Sequence, residues 1–231
     1  MKYTFEIDVY SEPLLKKIDK LNVEAASYGC GAVSVEEVKK ALAIAKFYHD
    51  GQFRKSGLPY FSHPVAVAIM VAGYLFKTDV IIAAILHDCV EDTTLTYDII
   101  RNEFGVRVEE MVYRLTRIRD GKKISVGEII EESRAHGDDE VLIIKQFDRA
   151  HNMQTIDAMK PEKQKEIAEE TLKEIAMIAV EMDNIYLEEY ICMTSYKIIA
   201  NKQDFDFYYQ KYHLFSSSQD YCLSFPTFEN T

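Results

Sequence analysis

The chain has 231 residues, nearly half of them apolar, and 27 Lys and Arg against 38 Asp and Glu give a formal net charge of −11. That balance excludes broad attraction to nucleic acid or an anionic membrane surface, which needs clustered cations, and the longest nearly unbroken apolar stretch, Val65 to Phe76, falls short of the roughly 18 residues that span a bilayer. Four scattered cysteines with no Cys-x-x-Cys pair exclude a zinc knuckle or dithiol redox motif, and the acidic start, Met1 to Asp8, lacks signal-peptide features, so the expectation is a cytoplasmic chain with one large domain.

Residues 1–33 read as an N-terminal extension containing a short amphipathic piece from Leu14 to Leu21. Ser34-Val35-Glu36-Glu37 forms a capping box that opens a helix to about Tyr48, with Val38, Leu42 and Ala45 along one face. Gly51, Gly57 and Pro59 make the next segment a loop, basic at Arg54-Lys55. Ser62-His63-Pro64 starts another helix, since proline is tolerated in a first turn. A third helix is expected from Thr78-Asp79 through Glu91-Asp92, apolar all round and therefore central. Thr96 to Phe104 is a helix stopped by Gly105, and Val106 to Ile118 is another. After a polar turn at Asp120 to Lys123 and a loop at Arg134 to Asp139, a long helix runs to about Met159. Helical patterning resumes at Pro161 and lasts to about Ala200, closing a main domain over 34–200. Residues 201–231, rich in Tyr, Phe and Ser, form a tail or closing helix. No run alternates with period two, and the class is all-α.

His87-Asp88, at the end of the apolar run Val80 to Leu86, is poorly explained by packing. Together with Glu91 and Asp92 it spans about 140° of a helix at the ~100° step per residue. Burying several carboxylates there is unfavourable without cations. His63 and Asp148 are the other candidate ligands of a two-His, two-Asp metal site, compatible with manganese, iron or zinc. Open positions on such an ion hold an activated water and a substrate phosphate oxygen, which Glu91 and Asp92 serve as acid and base. Lys145, Asp148, Asn152 and Thr155 share one face of the long helix, where Asn152 and Thr155 offer hydrogen bonds to a sugar or phosphate. Arg54 and Lys55 supply positive charge for a phosphorylated substrate, with Lys122 and Lys123 as weaker candidates. His49 reads as a cation at a helix end, His136 as a solvent loop residue, and His151 as a structural neighbour of the site.

Three separated strings carry a family resemblance: Gly51-Gln52-Phe53-Arg54-Lys55-Ser56-Gly57-Leu58-Pro59-Tyr60-Phe61-Ser62-His63-Pro64, Leu86-His87-Asp88-Cys89-Val90-Glu91-Asp92-Thr93 and Asp148-Arg149-Ala150-His151-Asn152-Met153-Gln154-Thr155. Over about Val35 to Met159 the chain resembles the HD hydrolase domain of the RelA/SpoT alarmone enzymes. The resemblance implies a single-domain, all-α HD-domain helical fold that hydrolyses (p)ppGpp at the 3′ position, with Mn2+ or another divalent metal, to pyrophosphate and GDP or GTP. It also implies metal ligation by His63, His87, Asp88 and Asp148, action of Glu91 and Asp92 on the attacking water, guanine and phosphate contacts from Arg54, Lys55 and Ser56, and a nucleotide contact from Asn152. Leu58 replaces the acid usual before Pro-Tyr, and Phe147 and Ala150 alter the last block. Members with both activities continue into a synthetase domain of similar length, so this chain is expected to be a stand-alone small alarmone hydrolase. Its partner would be a small guanine nucleotide, with no nucleic acid or membrane involved. Removal of the 2′-phosphate of NADPH on the same site, and a non-catalytic nucleotide-binding module, are the alternatives.

Overall fold

In α1 (Ser11–Ser27) the chain starts a helix where a side chain satisfies its free amides: Asp8 Oδ1 accepts from the amides of Tyr10 and Ser11 at 3.1 and 2.8 Å. The computed structural model describes residues 3–119, 121–182 and 184–199. The amphipathic piece expected at Leu14 to Leu21 is therefore part of a longer helix. Its Leu14 and Ile18 are fully buried, and it packs on α2 (Val35–Tyr48) and α3 (Ser62–Tyr74). Burying such side chains contributes about 1.5–3 kcal/mol each. The contacts group the chain into two units that divide between Phe147 and Asp148.

The first unit is built around α4 (Thr78–Leu86). Val80 to Leu86 are buried without exception, and the rod packs on α2, α3 and α7 (Val106–Leu115), as a helix apolar on every side must. It does not run on to Asp92. It stops at Leu86, and α5 (Cys89–Asp92) is a separate turn. An uninterrupted helix would offer the Ala84 carbonyl to the amide of residue 88, but the His87 imidazole engages that carbonyl through Nδ1 at 2.8 Å. The break thus falls at His87 and Asp88, which sequence patterning placed on one continuous face with Glu91 and Asp92.

Thr96 caps α6 (Tyr97–Phe104) by accepting from the Ile99 amide. Gly105, at φ +88°, allows the reversal into α7. The helix expected to reach Ile118 ends at Leu115, and a ribbon follows in which β1 (Ile118–Arg119) pairs antiparallel with β2 (Lys122–Lys123). The next helix, α8 (Val126–Ala135), was not expected. It is started by a reciprocal capping box in which Ser125 Oγ accepts from the Glu128 amide at 3.1 Å and Glu128 Oε2 accepts from the Ser125 amide at 2.8 Å. The following α9 (Asp139–Gln154) is shorter than expected, giving way to a 3-10 turn at Ile156–Ala158.

In the second unit Pro161 opens α10 (Pro161–Glu170), a π-turn covers Thr171–Ile175, and α11 (Ala176–Glu181) and α12 (Ile185–Ile199) follow. Met153, Ile156 and Ala168 form a core joined by Ile167, Ile198 and Ile199. Arg149, buried, pairs with Glu170 and donates to Thr171 Oγ1 at 3.1 Å. The all-α expectation holds: among the described residues β-structure is confined to the ribbon and an isolated bridge between Phe53 and Pro59. No described helix is long and apolar enough to cross a membrane. The tail expected over 201–231 lies outside the described residues.

Candidate metal centre

Three side chains, one from α3 and two from the break between α4 and α5, meet in the first unit. His63 is the second residue of α3, placed there by a turn in which the Ser62 hydroxyl donates to the Pro59 carbonyl at 2.8 Å and the His63 amide to the Tyr60 carbonyl at 2.9 Å. His87 and Asp88 come from the interruption of the central rod. His63 Nε2 lies 3.5 Å from Asp88 Oδ2, and His87 Nε2 lies 3.2 Å from Asp88 Oδ1. One ligand atom from each residue falls within 4.8 Å of the others. Both imidazoles are buried, at 1% and 2% exposure.

These donors fit a divalent cation. The Ala84 carbonyl can only accept, so His87 must carry its proton on Nδ1 and present a lone pair at Nε2. A neutral imidazole oriented through its other nitrogen is the form that ligates metal. Mixed imidazole and carboxylate donors without thiolate suit intermediate divalent metals.

A second layer lies behind the cluster. The Tyr60 hydroxyl stands 2.9 Å from Asp88 Oδ2 and 2.7 Å from Asp92 Oδ2. Desolvation, then the charges of Asp88 and Asp92, push this phenol far above its ordinary range, so it stays a donor. His49 stacks on the Tyr60 ring at 4.8 Å between centroids and 24° between planes. Its Nδ1 lies 2.7 Å from Gln52 Oε1 and its Nε2 3.4 Å from Cys89 Sγ, while Gln52 Nε2 donates to the Asp92 carbonyl at 2.8 Å. Burial holds His49 below the usual imidazole range, against the pull of Gln52, Asp88 and Asp92. The expectation of a cation at a helix end is therefore corrected: His49 is a buried neutral group. Burial also pushes the Cys89 thiol up, which keeps it protonated.

The carboxylates of Glu91 and Asp92 have different partners. The Glu91 carboxylate accepts from the Arg117 amide at 2.7 Å and so ties down the start of the β1–β2 ribbon. Although Asp92 is exposed as a residue, its carboxylate is turned to Tyr60. Desolvation lifts its carboxyl above the usual range, opposed by the Tyr60 hydrogen bond and helped by the Asp88 charge. Arg54 places its guanidinium carbon over the Tyr60 ring, 5.9 Å from the centroid. The loop that carries it is closed by Arg54 N to Leu58 O at 2.8 Å and Gly57 N to Arg54 O at 2.9 Å, with Gly57 at φ +88°. Lys55 in that loop is exposed and the Ser56 hydroxyl is buried.

On α9, Lys145 is buried in the first unit. Asp148, buried in the second, takes a hydrogen bond from Asn152 Nδ2 at 2.7 Å. Thr155 falls just past the helix end, its hydroxyl 3.4 Å from the Asn152 carbonyl. Lys122 and Lys123 are exposed on β2. His136 is exposed, with Nδ1 2.8 Å from the Glu132 carbonyl at the end of α8, and His151 is buried on α9. Sequence reasoning missed Tyr60, His49 and Gln52. Tyr60 stands three residues before His63 and was visible in principle, but the approach of His49 to Cys89 joins residues 40 apart, which no local pattern encodes.

Residues 41–180 match the family model described as HD domain. The chain is 37% identical over 145 residues to the bifunctional (p)ppGpp synthase/hydrolase SpoT of Escherichia coli strain K12, covering 60% of this chain and 21% of that protein. It is 39% identical over 149 residues to the guanosine-3′,5′-bis(diphosphate) 3′-pyrophosphohydrolase of Aquifex aeolicus, covering 62% of this chain and 21% of that protein. The chain thus spans about a fifth of the length of these curated relatives. A solved structure described as "A metazoan ortholog of SpoT hydrolyzes ppGpp and plays a role in starvation responses" shares the fold at TM-score 0.59 and 21% identity, over 71% of this chain and 96% of that one.

Proposed function

The chain belongs to the HD domain family, and from that premise we propose that it is a metal-dependent 3′-pyrophosphohydrolase of (p)ppGpp. The observation that carries the proposal is the His63, His87 and Asp88 donor set, whose two imidazoles are buried, within the residues 41–180 that match the HD domain model, together with relatives named for that reaction. Manganese is the proposed ion. Asp148, which stands in the third block of the family resemblance, is the proposed fourth ligand. A cytoplasmic location is proposed, where a free nucleotide substrate is found.

The proposed reaction joins the oxygen of water to the phosphorus attached at the 3′ oxygen. The bond from that phosphorus to the 3′ oxygen breaks, pyrophosphate leaves, and GDP or GTP keeps the hydroxyl. What a bound divalent ion supplies is Lewis-acid polarisation and a more acidic water. Asp92 accepts the proton of that water, a role favoured by its raised carboxyl and its place beside the donor set. Glu91, with one oxygen committed to the Arg117 amide, holds the ribbon in place. Arg54 offers a guanidinium face to the guanine and, with Lys55 and Ser56, cationic and hydroxyl donors to phosphate. Lys145, Asn152 and Thr155 complete the proposed nucleotide contacts.

The test is direct. Protein stripped with chelator, reloaded with Mn2+ and incubated with ppGpp should release GDP and pyrophosphate in equal amounts. No release at micromolar enzyme rejects the proposal, and conversion of NADPH to NADH in a parallel reaction, without ppGpp turnover, moves the same site to another substrate.

A further inference from the structure

The donor set leaves one side chain that touches two acids without a role. Tyr60 reaches Asp88 and Asp92 with one oxygen, at 2.9 and 2.7 Å. A phenol carries one proton, so the two carboxylates compete for a single full-strength hydrogen bond. The ring that carries it has three neighbours. His49 stacks at 4.8 Å, Arg54 lies 5.9 Å from the centroid, and His63 meets it edge-on at 6.2 Å and 83°. His49 is itself held by Gln52 and Cys89, and Gln52 grips the backbone of Asp92. A chain of contacts thus runs from the end of α2 through the basic loop to α5, and fixes the hydroxyl between the two acids.

We propose that Tyr60, clamped by His49, is a positioning residue that couples Asp92 to the ligand Asp88. It orients Asp88 for the cation, and a cation bound at Asp88 turns the Tyr60 hydrogen bond towards Asp92, with the proton staying on the phenol. The inference rests on the metal-centre reading above. A partner that orients a metal-binding carboxylate is worth about 10–100-fold in metal affinity, and a hydrogen bond to a charged group is stronger than one between neutral groups.

The measurement is Mn2+ affinity, read from the electron paramagnetic resonance signal of free Mn2+, for the wild type, Tyr60→Phe, Asp92→Asn and the double variant, together with melting temperatures in chelator. Tyr60→Phe removes one oxygen and keeps the stack. It should bind Mn2+ about 10–100-fold more weakly, with its metal-free melting temperature unchanged. The effect of Asp92→Asn on affinity should shrink in the Tyr60→Phe background, because the shared hydroxyl carries it. His63→Ala, which should abolish binding, locates the measured ion in the cluster. Wild-type affinity in Tyr60→Phe, fully additive effects in the double variant, or an equal loss of melting temperature with and without Mn2+ overturns the inference. Tight Mn2+ binding by the wild type without ppGpp turnover defeats the substrate proposal alone, whereas no Mn2+ binding by the wild type overturns the metal reading and this inference together.

Discussion

Two aspartates in the first unit meet the cost of burial in opposite ways. Asp138 is 2% exposed and saturated by arginine: Arg107 grips it as a fork, Nη2 to Oδ1 at 2.8 Å and Nη1 to Oδ2 at 3.1 Å, and Arg114 Nε donates to Oδ2 at 3.1 Å. Asp88 has a side chain only 22% exposed, and two imidazoles and a phenol, none of which carries a fixed charge, lie against its carboxylate. The first carboxylate has its counter-charge built into the chain, and a guanidinium is permanently cationic. The second faces groups that donate lone pairs or a shared proton. Imidazole and carboxylate donors so placed are well balanced around a cation. Two arginines tie Asp138 into the fold, whereas the imidazoles beside Asp88 are groups that also ligate a metal.

The largest expected effect tests both halves of that contrast at once. Asp138→Ala leaves two guanidinium groups facing a vacated site, and breaking a buried ion pair costs about 3–5 kcal/mol. Urea denaturation in chelator should show that loss, whether or not the protein is later given metal. Asp88→Ala should leave the metal-free transition close to that of the wild type while abolishing Mn2+ binding and turnover. If the metal-free Asp88→Ala protein is destabilised as much as Asp138→Ala, the contrast collapses and Asp88 is a structural acid.

Next in size is the stabilisation that metal brings. An ion that binds only the folded chain adds about 2.7 kcal/mol at a hundredfold excess over its dissociation constant. Melting curves with and without Mn2+ should show the increment in wild type and in any Asp138 variant that folds, but not in Asp88→Ala. An increment that survives in Asp88→Ala would place the ion elsewhere.

Much of this contrast was legible in the chain, and the parts that were not have physical reasons. The seven apolar residues Val80 to Leu86 announce a buried rod, and α4 is that rod. The adjacent His and Asp at its end announce a polar site, and His63 joins them in space. The interruption at His87 was hidden because it depends on an imidazole taking the Ala84 carbonyl, a choice of rotamer rather than of residue type. Glu91 and Asp92 read as a pair because they are adjacent, but they diverge to Arg117 and Tyr60 once α5 is a turn of its own. By contrast α8 was missed with its signal in plain view, since Ser125 three residues before Glu128 is the same capping pattern that located α2.

The smallest expected effect concerns a third answer to burial, that of His49, which avoids charge by staying neutral. Its pKa is held below the ordinary imidazole value of 6.5 by desolvation, so between those two values the unfolded chain binds the proton and the folded chain does not. Stability must then rise with pH wherever the unfolded state holds more protons. The contribution of His49 is thus fully present above about pH 6.5 and is progressively lost as pH falls below it, down to the lowered folded value. Its two neighbours fit the neutral form, with Nδ1–H donating to Gln52 Oε1 and Nε2 accepting from the Cys89 thiol. Urea unfolding of chelated protein from pH 5 to pH 8 should therefore give a steeper acid-side fall for wild type than for His49→Gln, which has nothing to titrate. Subtracting the two profiles removes the other histidines. An equal slope would mean that His49 takes up its proton inside the fold. A protonated His49 would then set a cation against the Tyr60 ring, close to Asp88 and Asp92, and the difference between Asp88 and Asp138 would be one of degree.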